Sequence, residues 1–460
     1  MKPFYPRLMR LFIALSLLVT LTSFGSAENF HRRQDTVRAL FVAINGDDSA
    51  PGTKTSPFAT IAKAAAVAEA GDTVWIEPGT YIPTDIIRPA NSGTLDSPIT
   101  FRAAPGGPVV IDAKGQVPGY DWDGVIMITK KRWIVIDGLT VINSRWFGIC
   151  ATQCEGITVR NCSTRFTGGS GIYMLGTAKA IVFHNSIRRA CDAPASTPEK
   201  FTQECISMPD CTEFDVSHNE VFDHTVDTNM GGEGIDAKGA CRHGKIHDNL
   251  LHDLVRVGVY VDSFDKTLSD IEVYGNTVCN CGNGITVACE EGGTSQSIKI
   301  HDNLVYDCSH VGIRLAGYLK NGPIQDISIY QNTVVRCGFN GNPWENCALL
   351  IEANNPANRN YVIRNNIFSD NLNQVRINGQ TFLVFDHNLI HGPSLYSGTN
   401  FLTDSPMFVD PEHNDFHLQS SSPARRAATD LPSSQYDHDG NSRPPKGGAV
   451  AADYGAFQSR

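Results

Sequence analysis

Three segments of the chain decide its fold: GKIHDN at Gly244–Asn249, IEVYGN at Ile271–Asn276 and IKIHDN at Ile298–Asn303. Each segment alternates apolar and polar residues and then ends in asparagine, which is the pattern of a half-buried β-strand followed by a turn. Consecutive copies of the pattern end 22 to 34 residues apart. The other copies end at Asn161, Asn185, Asn219, Asn332, Asn366 and Asn388.

A second strand usually follows each asparagine and begins with glycine and an aliphatic residue, as in Gly234-Ile235 and Gly284-Ile285. Two or three short strands in a repeat of this length are typical of one coil of a solenoid. Leucine-rich repeats would show Leu-x-Leu, and propeller blades need about 40 residues. We therefore predict an all-β, right-handed parallel β-helix solenoid with an N-terminal helical cap and a C-terminal wrapping tail. The asparagines should stack at one corner and exchange amide hydrogen bonds along the axis.

The length of 460 residues by itself suggests two or three domains, but the repeat favours one elongated domain. We predict a signal peptide at residues 1–27, a cap with the first strands at 38–82, coils at 83–400 and a tail or cap at 401–460. Positive residues precede the apolar run Leu11–Leu21, and small residues follow it, which is the signature of a secretory signal. The sequence thus predicts a secreted or periplasmic protein with no membrane span after cleavage. Within the cap, we expect a helix from Ser56 to Ala70.

The charge and the cysteines limit the classes of function. The chain has 38 Lys and Arg against 48 Asp and Glu, a net charge of −10, which argues against binding to nucleic acid or to anionic membranes. Its 13 cysteines lie between Cys150 and Cys347. Cys281, Cys308 and Cys337 each follow a coil asparagine by five residues, so we expect them to stack in the core. Whether any of the cysteines form disulfides stays open.

The N-terminal cap resembles a known signature. FVAINGDD at Phe41–Asp48, SPFATI at Ser56–Ile61, GDTV from Gly71 and PGTY from Pro78 are similar to the start of secreted right-handed β-helix proteins, including the family-nine pectate lyases. DYGAF at Asp453–Phe457 is similar to a common ending of the same proteins. The resemblance implies a protein that binds or cleaves polysaccharides, as a lyase, glycosidase or epimerase.

Candidate site residues appear when the strands that begin with glycine are aligned. Positions that should point away from the core form two columns, and ionisable residues concentrate in the coils from Glu233 to Arg314. The candidate catalytic residues are Asp236 and Asp262, with Glu233 and Glu290 as substitutes. The candidate substrate-binding residues are Lys238, Arg256, Tyr260, Asp265, Glu291 and Arg314.

The spacing of Asp236 and Asp262 suits glycoside hydrolysis. The two residues are one coil and two positions apart, so their Cα atoms should lie about 8 Å from each other. Carboxyl separations of roughly 5 to 9.5 Å cover both retaining and inverting glycosidases. We therefore predict a secreted carbohydrate-active enzyme, a glycoside hydrolase that cleaves an extracellular polysaccharide or oligosaccharide with paired carboxylates on adjacent coils.

Two other functions stay open. The first is a Ca²⁺-dependent pectate or uronate lyase, for which Ca²⁺ would be the cofactor. For the hydrolase, the sequence indicates no cofactor with certainty. It assigns no metal ligands in either case. Glu233–Lys238 resembles a strand of the family-nine lyases, but Arg256 and Val257 stand where that family carries paired aspartates, and Thr286 stands where it carries its basic lysine. The second alternative is a carbohydrate-binding surface solenoid without catalysis. An acidic polymer would need local cations, for which Lys238, Arg256 and Arg314 are the candidates.

Overall fold

The computed structural model describes residues 38–119, 122–192, 203–224, 231–352, 354–378, 382–429, 435–445 and 450–459. The predicted signal peptide lies outside these residues. Among the described residues, no helix is long and apolar enough to cross a membrane.

Short strands make up nearly all of the regular structure. One α-helix, α1, covers Ile61–Val67, and one 3₁₀-helix covers Pro411–His413. The strands are β1 Ala39–Val42, β2 Thr73–Ile76, β3 Gly79–Tyr81, β4 Ile99–Ala103, β5 Val109–Asp112, β6 Gly124–Thr129, β7 Arg132–Asp137, β8 Leu139–Ile142, β9 Phe147–Thr152, β10 Glu155–Arg160, β11 Ser163–Arg165, β12 Ile172–Leu175, β13 Ile181–Phe183, β14 Ser186–Arg188, β15 Gln203–Ser207, β16 Asp215–Ser217, β17 Glu220–His224, β18 Gly231–Lys238, β19 Arg242–His247, β20 Leu250–Asp262, β21 Thr267–Tyr274, β22 Thr277–Ala288, β23 Thr294–His301, β24 Leu304–Tyr306, β25 Ile313–Leu315, β26 Ile324–Tyr330, β27 Thr333–Val335, β28 Cys347–Ile351, β29 Arg359–Arg364, β30 Ile367–Ser369, β31 Asn373–Ile377, β32 Leu383–Asp386, β33 Leu389–His391, β34 Phe408–Asp410 and β35 Asp415–Leu418.

The strands stack into parallel sheets along the axis of the solenoid. A thirteen-stranded sheet runs from β1 through β2, β4 and β7 to β32. A twenty-stranded sheet contains two ladders of paired strands, one from β3 to β33 and one from β6 to β31. The long strands β20 and β22 belong to both ladders, and the two ladders are joined through them. Each coil thus contributes strands to three faces around one apolar core. The predicted parallel β-helix is confirmed.

The repeated asparagines form the predicted ladder at one corner, which we call the asparagine ladder. Asn276 is typical: its Nδ2 donates to Oδ1 of Asn303 at 2.9 Å and to the carbonyl of Ile246 at 2.9 Å, and its backbone N donates to Oδ1 of Asn303 at 3.0 Å. The hydrogen bonds satisfy amides that are buried. The members are Asn185, Asn219, Asn249, Asn276, Asn303, Asn332, Asn366 and Asn388.

Asn161 is an exception, and its predicted place in the ladder is wrong. Cys162 takes the ladder position instead, and its backbone N donates to Oδ1 of Asn185 at 2.9 Å. Asn161 lies one residue earlier, in the left-handed region at φ 53°, and its Nδ2 donates to Asp137 at 2.8 Å. Alternation alone could not distinguish these two neighbouring positions, because both follow the end of a strand.

The helix of the N-terminal cap is shorter than predicted. Helix α1 begins at Ile61 rather than near Ser56, because Thr60 is extended and its Oγ1 accepts a hydrogen bond from the N–H of Lys63 at 3.1 Å. The helix ends at Val67, since Ala68 is again extended. Buried residues of α1 include Ile61, which joins the main core and covers its open end.

The C-terminal tail packs along the ladder that contains β24 and β30. Phe416 and Tyr454 belong to an apolar cluster with Leu304 and Ile367. The buried guanidinium of Arg443 donates from Nε to Oδ1 of Asp302 at 3.0 Å. The tail therefore wraps the coils, as the sequence predicts.

The cysteines fill space in the solenoid. Twelve of the thirteen are buried, and Cys279 is half-buried. Cys281, Cys308 and Cys337 are buried at neighbouring levels of the core, in agreement with their predicted stacking. Burial raises the pKa of the Cys281 thiol well above its ordinary value, which makes the thiol unreactive.

Candidate active site

The two outward columns are in the register that the sequence predicts. On the ladder from β6 to β31, Asp236 pairs with Ser207 on one side and with Tyr260 on the other. The column continues through Thr286 to Arg314. In the second column, Lys238 pairs with Asp262. Six of the ten candidate residues thus lie on two adjacent strands of one face, β18 and β20: Glu233, Asp236, Lys238, Arg256, Tyr260 and Asp262.

A bulge brings a further carboxylate to this face. The register between β15 and β18 shifts by one residue, so that Gln203 faces Gly231 while Glu204 faces Glu233. Gly231 and Gly232 have φ values of 91° and 101°, and a Cβ on Gly232 would lie 2.1 Å from the ring of His224. Only glycine fits this bulge, which makes Glu233 the register partner of Glu204 on the adjacent strand.

Asp236 is the central residue of the cluster. It is 0% exposed, and neither carboxylate oxygen has a hydrogen-bond partner among the residues that the structure describes. Burial raises the pKa of Asp236 well above its ordinary value, and the neighbouring charge of Glu204 raises it further. Both influences favour the protonated form of Asp236.

Glu233 is a second carboxyl group with a perturbed pKa. Its Oε1 lies 3.3 Å from NH1 of Arg256, and within the described ranges its Oε2 has no hydrogen-bond partner. Burial and the charge of Glu204 raise the pKa of Glu233 to about 7, although the guanidinium of Arg256 opposes the shift. A carboxyl group that titrates near neutral pH is suited to general acid–base work.

Asp262 is also fully buried but is better compensated. Its Oδ1 accepts hydrogen bonds from the backbone N–H of Phe264 at 2.9 Å and of Glu290 at 3.3 Å. Its Oδ2 lies 3.5 Å from Nζ of Lys238. Burial raises the pKa of Asp262, and the charge of Lys238 is the largest influence that lowers it. Of the two aspartates Asp236 and Asp262, Asp262 therefore has the stronger support for a negative charge.

Lys238 links the carboxylates of the cluster. Its Nζ also lies 3.7 Å from Oε1 of Glu204. Burial lowers the pKa of Lys238, but the charges of Asp236, Glu204 and Asp262 outweigh burial and raise it far above the ordinary value. The amine is therefore held protonated.

Glu290 and Tyr260 close one edge of the cluster. The hydroxyl of Tyr260 donates to Oε1 of Glu290 at 2.5 Å. Burial and the charges of Asp262 and Glu290 raise the pKa of Tyr260 well above its ordinary value, so the phenol stays a donor. Glu290 is half-buried, and with Lys238 and Arg256 it forms the accessible edge of the face.

Three predicted substrate-binding residues lie outside the cluster. Asp265 is exposed, and Glu291 forms an ion pair with Lys320. Arg314 lies in the same column as Asp236 but three strands away, where its NH2 contacts Glu345 at 2.8 Å and Glu352 at 2.7 Å.

Sequence reasoning missed Glu204. The residue is buried, and Ser207 donates to its Oε2 at 2.7 Å. The β15 strand lacks the preceding glycine by which the other strands are aligned. The bulge also shifts the register of β18 by one residue, so that counting along the sequence does not pair Glu204 with Glu233. The signal that could have found it is Gly231-Gly232, a pair of glycines that interrupts the strand pattern.

The arrangement places carboxyl groups in unlike surroundings, with Asp236 lacking a hydrogen-bond partner among the described residues and Asp262 contacting Lys238, which is what a general acid and its partner carboxylate require. The donor atoms also suit Ca²⁺, which prefers carboxylate oxygens. Glu233 Oε2, both oxygens of Asp236 and Asp262 Oδ2 have no hydrogen-bond partner in the described part of the chain. The donor type therefore suits Ca²⁺, but among the described residues the group of three donors within 4.8 Å of one another is His218, His247 and Asp248 instead.

Comparison with known families supports the β-helix fold of the coils. A family model described as a right-handed β-helix region matches residues 123–295 and 233–411, which together cover more than half of the chain. The chain belongs to the right-handed β-helix family. A second model, described as the Pel9A-like right-handed β-helix region, matches residues 40–197 and confirms the resemblance of the N-terminal part to family-nine pectate lyases.

Individual relatives are distant. An uncharacterized protein of Bacillus subtilis, YwoF, is 26% identical over 84% of this chain and 92% of its own length. Pectate lyase PEL9 of Emericella nidulans is 29% identical over 30% of this chain and 35% of its own length. Among solved structures, XylC in complex with xylose has a TM-score of 0.63 at 12% identity and covers 92% of this chain and 98% of its own. Pectate lyase Pel9A has a TM-score of 0.50 at 16% identity, with coverages of 92% and 97%. These likenesses show the fold.

Proposed function

We propose that this protein is a carbohydrate-active enzyme that hydrolyses glycosidic bonds of a polysaccharide or oligosaccharide outside the cytoplasm. The observation that carries the proposal is that Asp236, which is buried and without a hydrogen-bond partner in the described residues, lies one strand away from Asp262, which contacts Lys238. Relatives named as pectate lyase and a fold shared with a xylose complex support a sugar substrate. The signal-like residues 1–27 support export.

Each carboxyl group has a distinct part in the proposed reaction. Asp236 donates its proton to the glycosidic oxygen as the bond to the anomeric carbon breaks. Asp262 either takes a proton from the attacking water or attacks the anomeric carbon itself. Burial and the charge of Glu204 raise the pKa of Asp236, and Lys238 stabilises the charge of Asp262. Glu233, with a pKa of about 7, is the alternative proton donor.

A product screen tests hydrolysis. The purified protein is incubated with a panel of neutral and uronate polysaccharides, and the masses of the products are measured by mass spectrometry. Hydrolysis adds one water for each bond cleaved, whereas elimination adds none and leaves a double bond that absorbs in the ultraviolet. We expect products with added water and no ultraviolet absorbance. Retention of an oligosaccharide with no product after long incubation would instead indicate a binding solenoid.

A Ca²⁺-dependent lyase is the second candidate, since four carboxylate oxygens of the cluster are without hydrogen-bond partners among the described residues. In a lyase the ion would neutralise a uronate carboxylate, and the oxygens of Glu233, Asp236 and Asp262, which do not all lie within 4.8 Å of one another, would have to move closer together to hold it. A lyase also needs a neutral base to remove a proton, and the carboxylates around Lys238 keep its amine charged. This argues for the hydrolase. Unsaturated products that disappear with a chelator and return with Ca²⁺ would favour the lyase.

A further inference from the structure

The loop at 338–346, between β27 and β28, presents large aromatic side chains to solvent. Trp344 is 73% exposed and Phe339 is 61% exposed. Two large aromatic side chains on one loop leave apolar surface exposed to water, and tryptophan is enriched among the residues that contribute most to binding. The loop enters the same ladder as the acidic cluster, since β28 pairs with β25, the strand of Arg314.

The loop is held in place rather than free. NH1 of Arg376 donates to the carbonyls of Pro343 and Trp344 at 2.9 and 3.0 Å. The side chain of Asn342 accepts from the N–H of Trp344 at 3.0 Å, and Glu345 pairs with Arg314 at 2.8 Å. A braced backbone loses little conformational entropy when a ligand binds, so the Trp344 ring is positioned in advance.

Arg376 differs from the cations that the sequence indicates for an acidic polymer. Lys238, Arg256 and Arg314 all contact carboxylates of the protein. The described hydrogen bonds of Arg376 go to carbonyl groups instead, and its guanidinium lies 5.8 Å from the centre of the Trp344 ring. An arginine next to an open aromatic ring can bind a carboxylate while the ring supports an apolar sugar face.

The position of this pair suits an extended substrate. Arg376 belongs to the same column as Asp236 and lies five strands further along it. At about 4.8 Å per strand, the two residues are about 24 Å apart along the axis. A linear polysaccharide that lies along this face can therefore reach from this pair to the accessible edge of the acidic cluster.

We propose that Trp344 and Arg376 form a distal subsite for a uronate-containing polysaccharide. The indole ring stacks on a sugar ring, and the guanidinium pairs with the uronate carboxylate. The proposal rests on the proposed function, because it deepens that function by naming an acidic polymer as the substrate class.

Direct binding tests the subsite without requiring turnover. The affinity of an oligogalacturonate for the Asp236→Asn protein is measured by calorimetry, with Trp344→Ala and Arg376→Gln added separately. We expect each added change to weaken binding about tenfold. The matched control is Arg189→Gln, which removes a guanidinium 5.4 Å from the ring of the exposed Phe166 and should leave the affinity unchanged. Circular dichroism checks that every variant is folded.

The outcomes separate the two proposals. Affinity that is unchanged in folded Trp344→Ala and Arg376→Gln proteins, or no binding of the oligogalacturonate at all, would overturn the subsite. Weaker binding in both variants supports the subsite even where Asp236→Asn retains full activity, a result that contradicts the catalytic assignment alone. For an active wild-type enzyme, we also expect Trp344→Ala to raise KM with little change in kcat.

Discussion

Two columns of buried polar side chains run along the solenoid, and they differ in how their hydrogen bonds are satisfied. In the asparagine ladder, Asn303 is fully buried, and its amide donates to Asn332 and to backbone carbonyls while it accepts from Asn276. In the acidic cluster, Asp236 is equally buried, but its oxygens have no partner among the described residues. Buried polar side chains whose hydrogen bonds are all made stabilise the fold. Buried polar side chains without hydrogen bonds destabilise it, and folding by itself does not require them. The difference distinguishes scaffold from candidate site.

The largest expected effect is on catalysis at Asp236. Asp236→Asn removes the proposed proton donor but keeps the shape, so we expect activity to fall by 10²- to 10⁴-fold, the range typical of general acids. The thermal midpoint should not fall, since the change removes a desolvated acid. Product formation and thermal unfolding measure the two effects.

Asp270→Asn is the matched control, because Asp270 is an exposed aspartate on β21 in the thirteen-stranded sheet. Its activity should equal that of the wild type. Near-normal activity of Asp236→Asn would remove Asp236 from the reaction and leave Glu233 as the donor.

The opposite result is expected in the asparagine ladder. Asn303→Ala leaves the N–H and the Nδ2 of Asn276 without their acceptor on Asn303, so we expect a loss of about 3 kcal/mol in the free energy of unfolding. Activity per folded molecule should be unaffected. Denaturant unfolding measures the loss, with the exposed Asn45→Ala as control. Equal stability of the two variants would contradict the structural role of the ladder.

The pH dependence of stability should reveal the unsatisfied column. Glu233 has a pKa of about 7 in the folded protein against an ordinary value of 4.5, so between these values the folded state binds more protons than the unfolded state. Stability that is present below pH 4.5 is therefore lost as the pH rises towards 7, by an amount on the order of 2 kcal/mol. Glu233→Gln should flatten this dependence in urea titrations at several pH values. If the free energy of unfolding of Glu233→Gln depends on pH as strongly as that of the wild type, Glu233 is ionised throughout this pH range.

The smallest effect is expected for the cysteines, which resemble the ladder in being structural. Cys308→Ala should cost about 1 kcal/mol, because it removes a small buried side chain. Reducing agent should not move the thermal midpoint of the wild type. Alkylation after unfolding without reductant should label all 13 cysteines, and fewer labels would reveal disulfides.

Much of the site was predictable because the side-chain period of a strand is fixed. Once Gly234-Ile235 and Gly258-Val259 are aligned as equivalent strands, the pairing of Lys238 with Asp262 follows by counting. Counting fails where the chain is irregular. The bulge at Gly231-Gly232 hides Glu204, and Asn161 was assigned to a position that Cys162 takes.

The sequence by itself determined the fold, its handed coils, the asparagine ladder and the face that carries the acidic residues, because the strand period and the repeat leave one consistent way to bury the aliphatic side chains. Only the tertiary structure decided which of those residues act together. It buried Asp236 completely, joined Lys238 to Asp262 and moved Arg314 into a separate pair with Glu352. Desolvation and the charges of neighbouring coils set the protonation of these groups, and both depend on distances across strands that are far apart in the chain.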